Sequence, residues 1–150
     1  MPYDDLRKGR FSQGGQAYFI TTVLADREQR FFADFECARI VVMNMKLLHD
    51  EKCVYSFAWV VMPDHVHWLF QLGTSASLSS TIKIFKARTA HRVNAYLGRS
   101  GTLWQKNFYD RALRKEEDMR AIARYIVANP LRGGLVQQIG DYPHWDAIWL

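Results

Sequence analysis

The chain has 150 residues and a mass of 17.5 kDa, enough for one compact domain and not comfortably for two. Its composition, 49% hydrophobic, 14% aromatic and 23% charged, is that of a globular protein and excludes disorder, collagen-like repeats and a disulfide scaffold. The net charge is +5 and the excess lies in the second half: residues 1–75 carry 8 Lys and Arg against 9 Asp and Glu, residues 76–150 carry 12 against 6.

The first residues, 1–15, read as a basic arm with Arg7, Lys8 and Arg10 that ends in a turn at Gly14-Gly15. Asp4 and Asp5 stand where a signal peptide needs positive charge. The longest apolar run, Phe57 to Met62, falls far short of the roughly 20 residues that span a bilayer. Cys37 and Cys53 match neither a zinc spacing nor a disulfide framework. A soluble, cytoplasmic protein is expected.

Tyr18 to Leu24 is rich in aromatic and β-branched residues and predicts a strand. Asp34 caps a helix through Phe35, Ala38, Val41, Val42, Met45 and Leu48. Val54 to Met62 and His65 to Leu72 are two more strands, joined at Pro63-Asp64 into a buried antiparallel hairpin. A helix follows from Leu78 to Leu97, with a stripe of Leu78, Ile82, Phe85, Thr89, Val93 and Tyr96, and Gly98 and Gly101 end it. Phe108 to Leu113 is a fourth strand. Glu116-Glu117-Asp118 open a last helix, expected to stop at Asn129 because Pro130 follows. The order β-α-β-β-α-β-α predicts one α+β domain over residues 1–150. Its architecture is a ferredoxin-like or RRM-like four-stranded antiparallel sheet with helices on a face, and residues 137–150 are a C-terminal tail.

Between Lys83 and Lys115 stand nine basic residues and one acidic one, Asp110. Such a block is either a surface for phosphates or a solvated helix face. His65-Val66-His67 lies on a predicted strand, where residues i and i+2 share a face, so two imidazoles can converge on one cation. A hydrogen-bonded, half-buried histidine pair is the plainer reading of the same motif. In the last helix Met119, Ile122 and Ile126 form the core stripe, and Tyr125, Asn129 and Asp118 fall just beside it. A phenol hydroxyl and a carboxamide thus point the same way, four residues apart. Two imidazoles and an amide oxygen can hold a divalent cation against a phosphate. A tyrosine, weak as a nucleophile when free, can attack a phosphate so polarised.

The run Val60-Val61-Met62-Pro63-Asp64-His65-Val66-His67-Trp68-Leu69 resembles the metal-binding strand of the HUH single-strand DNA endonucleases. Tyr125-Ile126-Val127-Ala128-Asn129-Pro130-Leu131-Arg132-Gly133-Gly134-Leu135-Val136 resembles the catalytic-helix motif of one branch, the REP-associated tyrosine transposases. Gly14-Gly15 before Tyr18, Trp104-Gln105 ahead of Asp110 to Arg114, and Asp141-Tyr142-Pro143 agree in order.

The resemblance implies a single-tyrosine transesterase acting on DNA in transposition. Tyr125 would form a 5′-phosphotyrosine link and leave a 3′-hydroxyl, with His65, His67 and Asn129 as metal ligands. It also implies REP hairpins as single-stranded DNA substrate, magnesium or manganese as the cation, and a monomer rather than a dimer. Imidazole donors considered alone favour manganese or zinc. Candidate DNA contacts are Arg7, Lys8 and Arg10 in the arm, with Lys83, Lys86, Arg92, Lys106, Arg111 and Arg114 in the basic half. Two rivals stand beside this reading. One is a non-catalytic, RRM-like module that binds single strands; the other is a metal-dependent phosphodiesterase that uses water.

Overall fold

A computed structural model describes residues 15–149, so the expected contacts at Arg7, Lys8 and Arg10 lie outside the described residues. The strands are β1 (Ala17–Val23), β2 (Val54–Met62), β3 (His65–Leu72), β4 (Tyr109–Leu113) and β5 (Trp145–Ala147). The helices are α1 (Phe35–Asp50), α2 (Leu78–Leu97) and α3 (Glu116–Arg132). All neighbouring strands are antiparallel, in the order β4-β1-β3-β2-β5. The first four follow the ferredoxin-like layout.

Local chemistry sets the boundaries. The Asp34 carboxylate accepts the Cys37 N–H at the start of α1, and the Ser77 hydroxyl accepts the Ser80 N–H at the start of α2. Gly98, at φ 66°, supplies the left-handed residue that ends α2. Between β2 and β3 the register shifts between Ser56 and Ala58, a bulge at Phe57. Its extra residue turns both Phe57 and Ala58 toward the α3 side of the sheet.

Four expectations are corrected. The sheet has five strands: within the supposed tail, Trp145, Asp146 and Ala147 pair with Val60, Trp59 and Ala58. The Tyr142 hydroxyl, donating to the Val61 carbonyl, ties the same segment down.

The helices occupy both faces. α1 and α2 cover a core of Ile20, Val61, Val66, Trp68 and Phe70, while α3 covers a second one of Ala17, Val60, Met62, Leu69 and Leu113. A central strand alternates its side chains, so each face of β3 needs its own cover.

Helix α3 runs through Pro130 to Arg132. The proline forfeits one backbone hydrogen bond in the last turn, and Gly133 and Leu135 N–H groups still close onto the Asn129 and Pro130 carbonyls. Finally, Tyr96 is 50% exposed rather than part of the α2 core stripe: the buried side of the helix ends at Val93, and the Tyr96 hydroxyl lies at the surface, 3.4 Å from Asp34 Oδ2.

Candidate active site

Strand β3 divides its side chains between the two layers. Val66, Trp68 and Phe70 enter the α1–α2 core, while His65, His67 and Leu69 turn toward α3. The two imidazoles lie with ring centroids 4.7 Å apart. Each is held through Nδ1: His65 donates to Asp64 Oδ1 at 2.7 Å, and His67 Nδ1 shares a 2.8 Å hydrogen bond with the Thr21 hydroxyl. Asp64 also accepts Arg27 Nε at 2.8 Å. Partners that fix Nδ1 leave both Nε2 atoms available to one ligand, the arrangement seen around metal-binding histidines.

The electrostatics agree with that role. His67 is 8% exposed, and burial, then the charges of His65 and Arg132, push its pKa down to about 3. It is therefore a neutral imidazole at neutral pH, the form that ligates cations. Burial alone would raise the Asp64 pKa. The hydrogen bonds from His65 and Arg27 outweigh it and hold the carboxyl below the usual range.

Helix α3 lays Tyr125 over His67, with ring centroids 5.7 Å apart and Phe19 at 6.1 Å. The Arg132 guanidinium stacks 4.1 Å from the Tyr125 ring centroid and donates to the Tyr125 carbonyl at 2.9 Å. The ring is thus packed by three neighbours, while Tyr125 remains 45% exposed. Among the described residues its hydroxyl takes no hydrogen bond.

One turn further on is Asn129. Beyond it, a Cβ placed on Gly133 would come within 3.3 Å of Met62 Cε, and Met62 pairs with His65 across the hairpin. The helix therefore passes from His67 toward the His65 end, with Asn129 in between. Its Nδ2 is buried without a partner among the described residues, which costs about 1–3 kcal/mol. Turned end for end, the amide puts Oδ1 in that unpaired position, as an oxygen donor to a cation requires. Among the described residues no three His, Cys, Asp or Glu cluster as a metal site. Two imidazoles and one amide fit a divalent cation that keeps other positions open for oxygen ligands.

The candidate DNA contacts divide between the faces. Arg111 opposes Phe19 in the β1–β4 register, and directly opposed residues share a face, so it stands on the histidine side. Lys106 and Arg114 are exposed beside β4. The basic helix lies across the sheet from the histidines: Lys83 and Arg92 are exposed on α2. Lys86, on the same helix, spends its ammonium within the fold, donating to the Gln105 and Asn107 carbonyls at 2.8 and 3.0 Å. Asp118, from the Tyr125 band of the helix, is exposed in the first turn.

Thr21, Phe19, Asp64 and Arg132 escaped the sequence reading. Asp64 could have been noticed as the neighbour of His65. Arg132 lies seven residues after Tyr125, two helical turns along the same face, once the helix is allowed past Pro130.

Comparison with known proteins adds a family. The one described as "Transposase IS200 like" matches residues 15–129. An Escherichia coli (strain K12) protein named REP-associated tyrosine transposase is 26% identical over 134 residues, covering 89% of this chain and 76% of that protein. A Haemophilus influenzae protein provisionally given the same name is 26% identical over 148 residues, covering 89% of this chain and 80% of that protein. Among solved structures, a REP-associated tyrosine transposase bound to a REP hairpin superposes with a TM-score of 0.72 at 27% identity. That match covers 88% of this chain and 76% of the other.

Proposed function

The chain belongs to the IS200-like transposase family, and from that premise we propose that it is a metal-dependent single-strand DNA transesterase that nicks and rejoins REP-type hairpin DNA. The observation that carries the reading is the position of Tyr125: its ring is clamped by Arg132, His67 and Phe19, and its hydroxyl takes no hydrogen bond among the described residues. The class of DNA follows from the similar structure that holds a REP hairpin.

In the cleavage step the Tyr125 oxygen attacks phosphorus and forms a new O–P bond as its proton passes to water. The bond from phosphorus to the 3′ oxygen breaks, and that oxygen keeps the electron pair and takes up a proton. The products are a 5′-phosphotyrosine and a free 3′-hydroxyl, and attack by a 3′-hydroxyl on the phosphotyrosine reverses the step and joins strands. His65, His67 and Asn129 are the protein ligands for magnesium or manganese. When bound, that cation supplies charge stabilisation to the phosphate and the leaving oxygen. Thr21 and Asp64 orient the two imidazoles, and Arg132 positions the tyrosine ring.

All four central residues come from one chain, which supports action as a monomer; with a DNA substrate, the cytoplasm is the expected compartment. No helix among the described residues is long and apolar enough to cross a membrane. Arg111, Arg114 and Lys106 contact the strand on the histidine side. Lys83 and Arg92 join in where a folded hairpin wraps round the β4 edge, and Arg7, Lys8 and Arg10 extend the contact from the arm.

The test is a denaturing gel of labelled hairpin DNA incubated with the protein and magnesium or manganese. A covalent band is expected that vanishes in Tyr125→Phe and is lost or strongly weakened in His65→Ala. Cleavage that persists in Tyr125→Phe would mean that water is the nucleophile. Binding with no cleavage under either metal would mean a binding module.

A further inference from the structure

We infer that the loop leading into β4 forms a pocket for one unpaired DNA base, next to the bond that Tyr125 breaks; the inference rests on the transesterase reading. Gln105, Lys106, Asn107, Phe108 and Tyr109 line a cleft of about 290 Å³. That is at the small end of ligand-binding cavities, the size for one planar ring system rather than for a larger cofactor.

Its position ties it to the reaction. Tyr109 opposes Thr21 across β1 and β4, and Thr21 opposes His67 across β1 and β3. The three form one cross-strand row on one face, so Tyr109 stands two strand spacings, about 10 Å, from His67. A roomier cavity of about 630 Å³, lined by Gly15, Tyr55, Gln71 and Gly73, lies at the other end of β3. Its strand residue Gln71 lies four residues of strand, about 13 Å, from His67, so this cavity is farther from the imidazoles than Tyr109 is.

The cleft also has the right chemistry. Tyr109 is 69% exposed, an aromatic face on an edge strand with a phosphate-cleaving row beneath it. Every base has a π-face to stack there. The carboxamides of Gln105 and Asn107 supply both donors and acceptors for a base edge. Lys106 brings positive charge for the adjoining phosphate.

The loop is braced from behind. Lys86 enters from α2 and donates to the carbonyls of Gln105, Lys106 and Asn107 at 2.8, 3.5 and 3.0 Å, with its ammonium 5.7 Å from the Phe108 ring centroid. The Gln105 N–H donates to the Val23 carbonyl at 2.8 Å. A loop held this way keeps its shape before DNA arrives, which favours selective binding. Lys86 thus acts on DNA through the loop rather than by touching phosphate.

The experiment uses the full chain carrying Tyr125→Phe, which cannot cleave. Hairpin oligonucleotides carry 2-aminopurine at one unpaired position each, and wild-type adduct formation on the same oligonucleotides maps the cleaved bond. One probe within two nucleotides of that bond is expected to be quenched. Adding Tyr109→Ala should restore its fluorescence and weaken binding about 5- to 150-fold, the range for one lost base–aromatic stack. Tyr109→Phe should keep the quench. Asn107→Ala should keep it too while flattening the base preference at that position. If adduct forms but no probe near the bond is quenched, or the quench survives Tyr109→Ala, the pocket is refuted and the transesterase stands. If wild type forms no adduct, it is the transesterase reading that falls.

Discussion

His67 and Trp68 are neighbours in β3 and belong to different parts of the molecule. Trp68 points into the α1–α2 core, packs on Phe70 and Phe85, and gives its indole N–H to Ser56. Everything polar about it is satisfied. His67 points the other way, toward α3, where it meets Thr21, His65 and Tyr125 and where the buried Asn129 amide nitrogen has no partner among the described residues. One face of the sheet is a packed apolar core, whereas the other carries the imidazoles, the tyrosine and the amide of the proposed site. The alternation of a single strand, with a period of two residues, is enough to keep stability and chemistry apart.

The sharpest way to break this comparison is to exchange the burdens of the two neighbours. Trp68→Ala should cost about 3–5 kcal/mol in urea unfolding, because it empties the core. His67→Gln should abolish covalent adduct formation while costing no more than about 1.5 kcal/mol, the scale of one hydrogen bond. If His67→Gln unfolded as easily as Trp68→Ala, the two faces would not be separable. One step out, Thr21→Val removes the hydroxyl that fixes His67. It should weaken manganese binding about 10- to 100-fold in a calorimetric titration, with the fold intact. Arg132→Lys keeps a charge but loses the planar stack on Tyr125. It should slow adduct formation roughly tenfold with DNA affinity unchanged, a split that single-turnover kinetics and binding assays read separately.

Smaller effects sharpen where the DNA lies. Arg111→Ala should reduce the salt slope of binding by about 1, the contribution of one phosphate contact. Lys83→Ala, across the sheet, should reduce it less, and an unchanged slope would show that the hairpin does not wrap round the β4 edge to α2. The smallest effect concerns the β5 segment. Burial pushes the Tyr142 phenol from its usual 10.0 up to about 12, while the unfolded chain ionises near the usual value. Folding therefore retains a proton between those pH values, and stability falls as pH rises from about 10 to about 12. In Tyr142→Phe that fall should disappear from alkaline melting curves, at a cost near neutrality of about 1 kcal/mol for the lost hydrogen bond to Val61.

Much of this was legible in the chain. Val54–Met62, His65–Leu72 and Leu78–Leu97 have the same limits in sequence and structure, since turn residues, Ser77 and Gly98 punctuate them. His65, His67, Tyr125 and Asn129 were legible as pairs, because strand and helix periods put each pair on one face. Which face α3 covers was not, because β3 is apolar on both sides of its alternation. Trp145–Ala147 is too short to show a period and becomes a strand only by pairing with β2. Thr21 meets His67 through a 46-residue separation that only the register of β1 and β3 creates. Arg132 was hidden by Pro130, a residue that usually ends a helix and here sits in its last turn.

The most direct test is to digest the protein–DNA adduct and find its attachment point by mass spectrometry. The predicted result is a single DNA-linked peptide, joined through the Tyr125 oxygen to a 5′-phosphate, with a free 3′-hydroxyl on the released strand. Attachment at Tyr109 or Tyr96, or cleaved DNA with no linked peptide, would contradict the account.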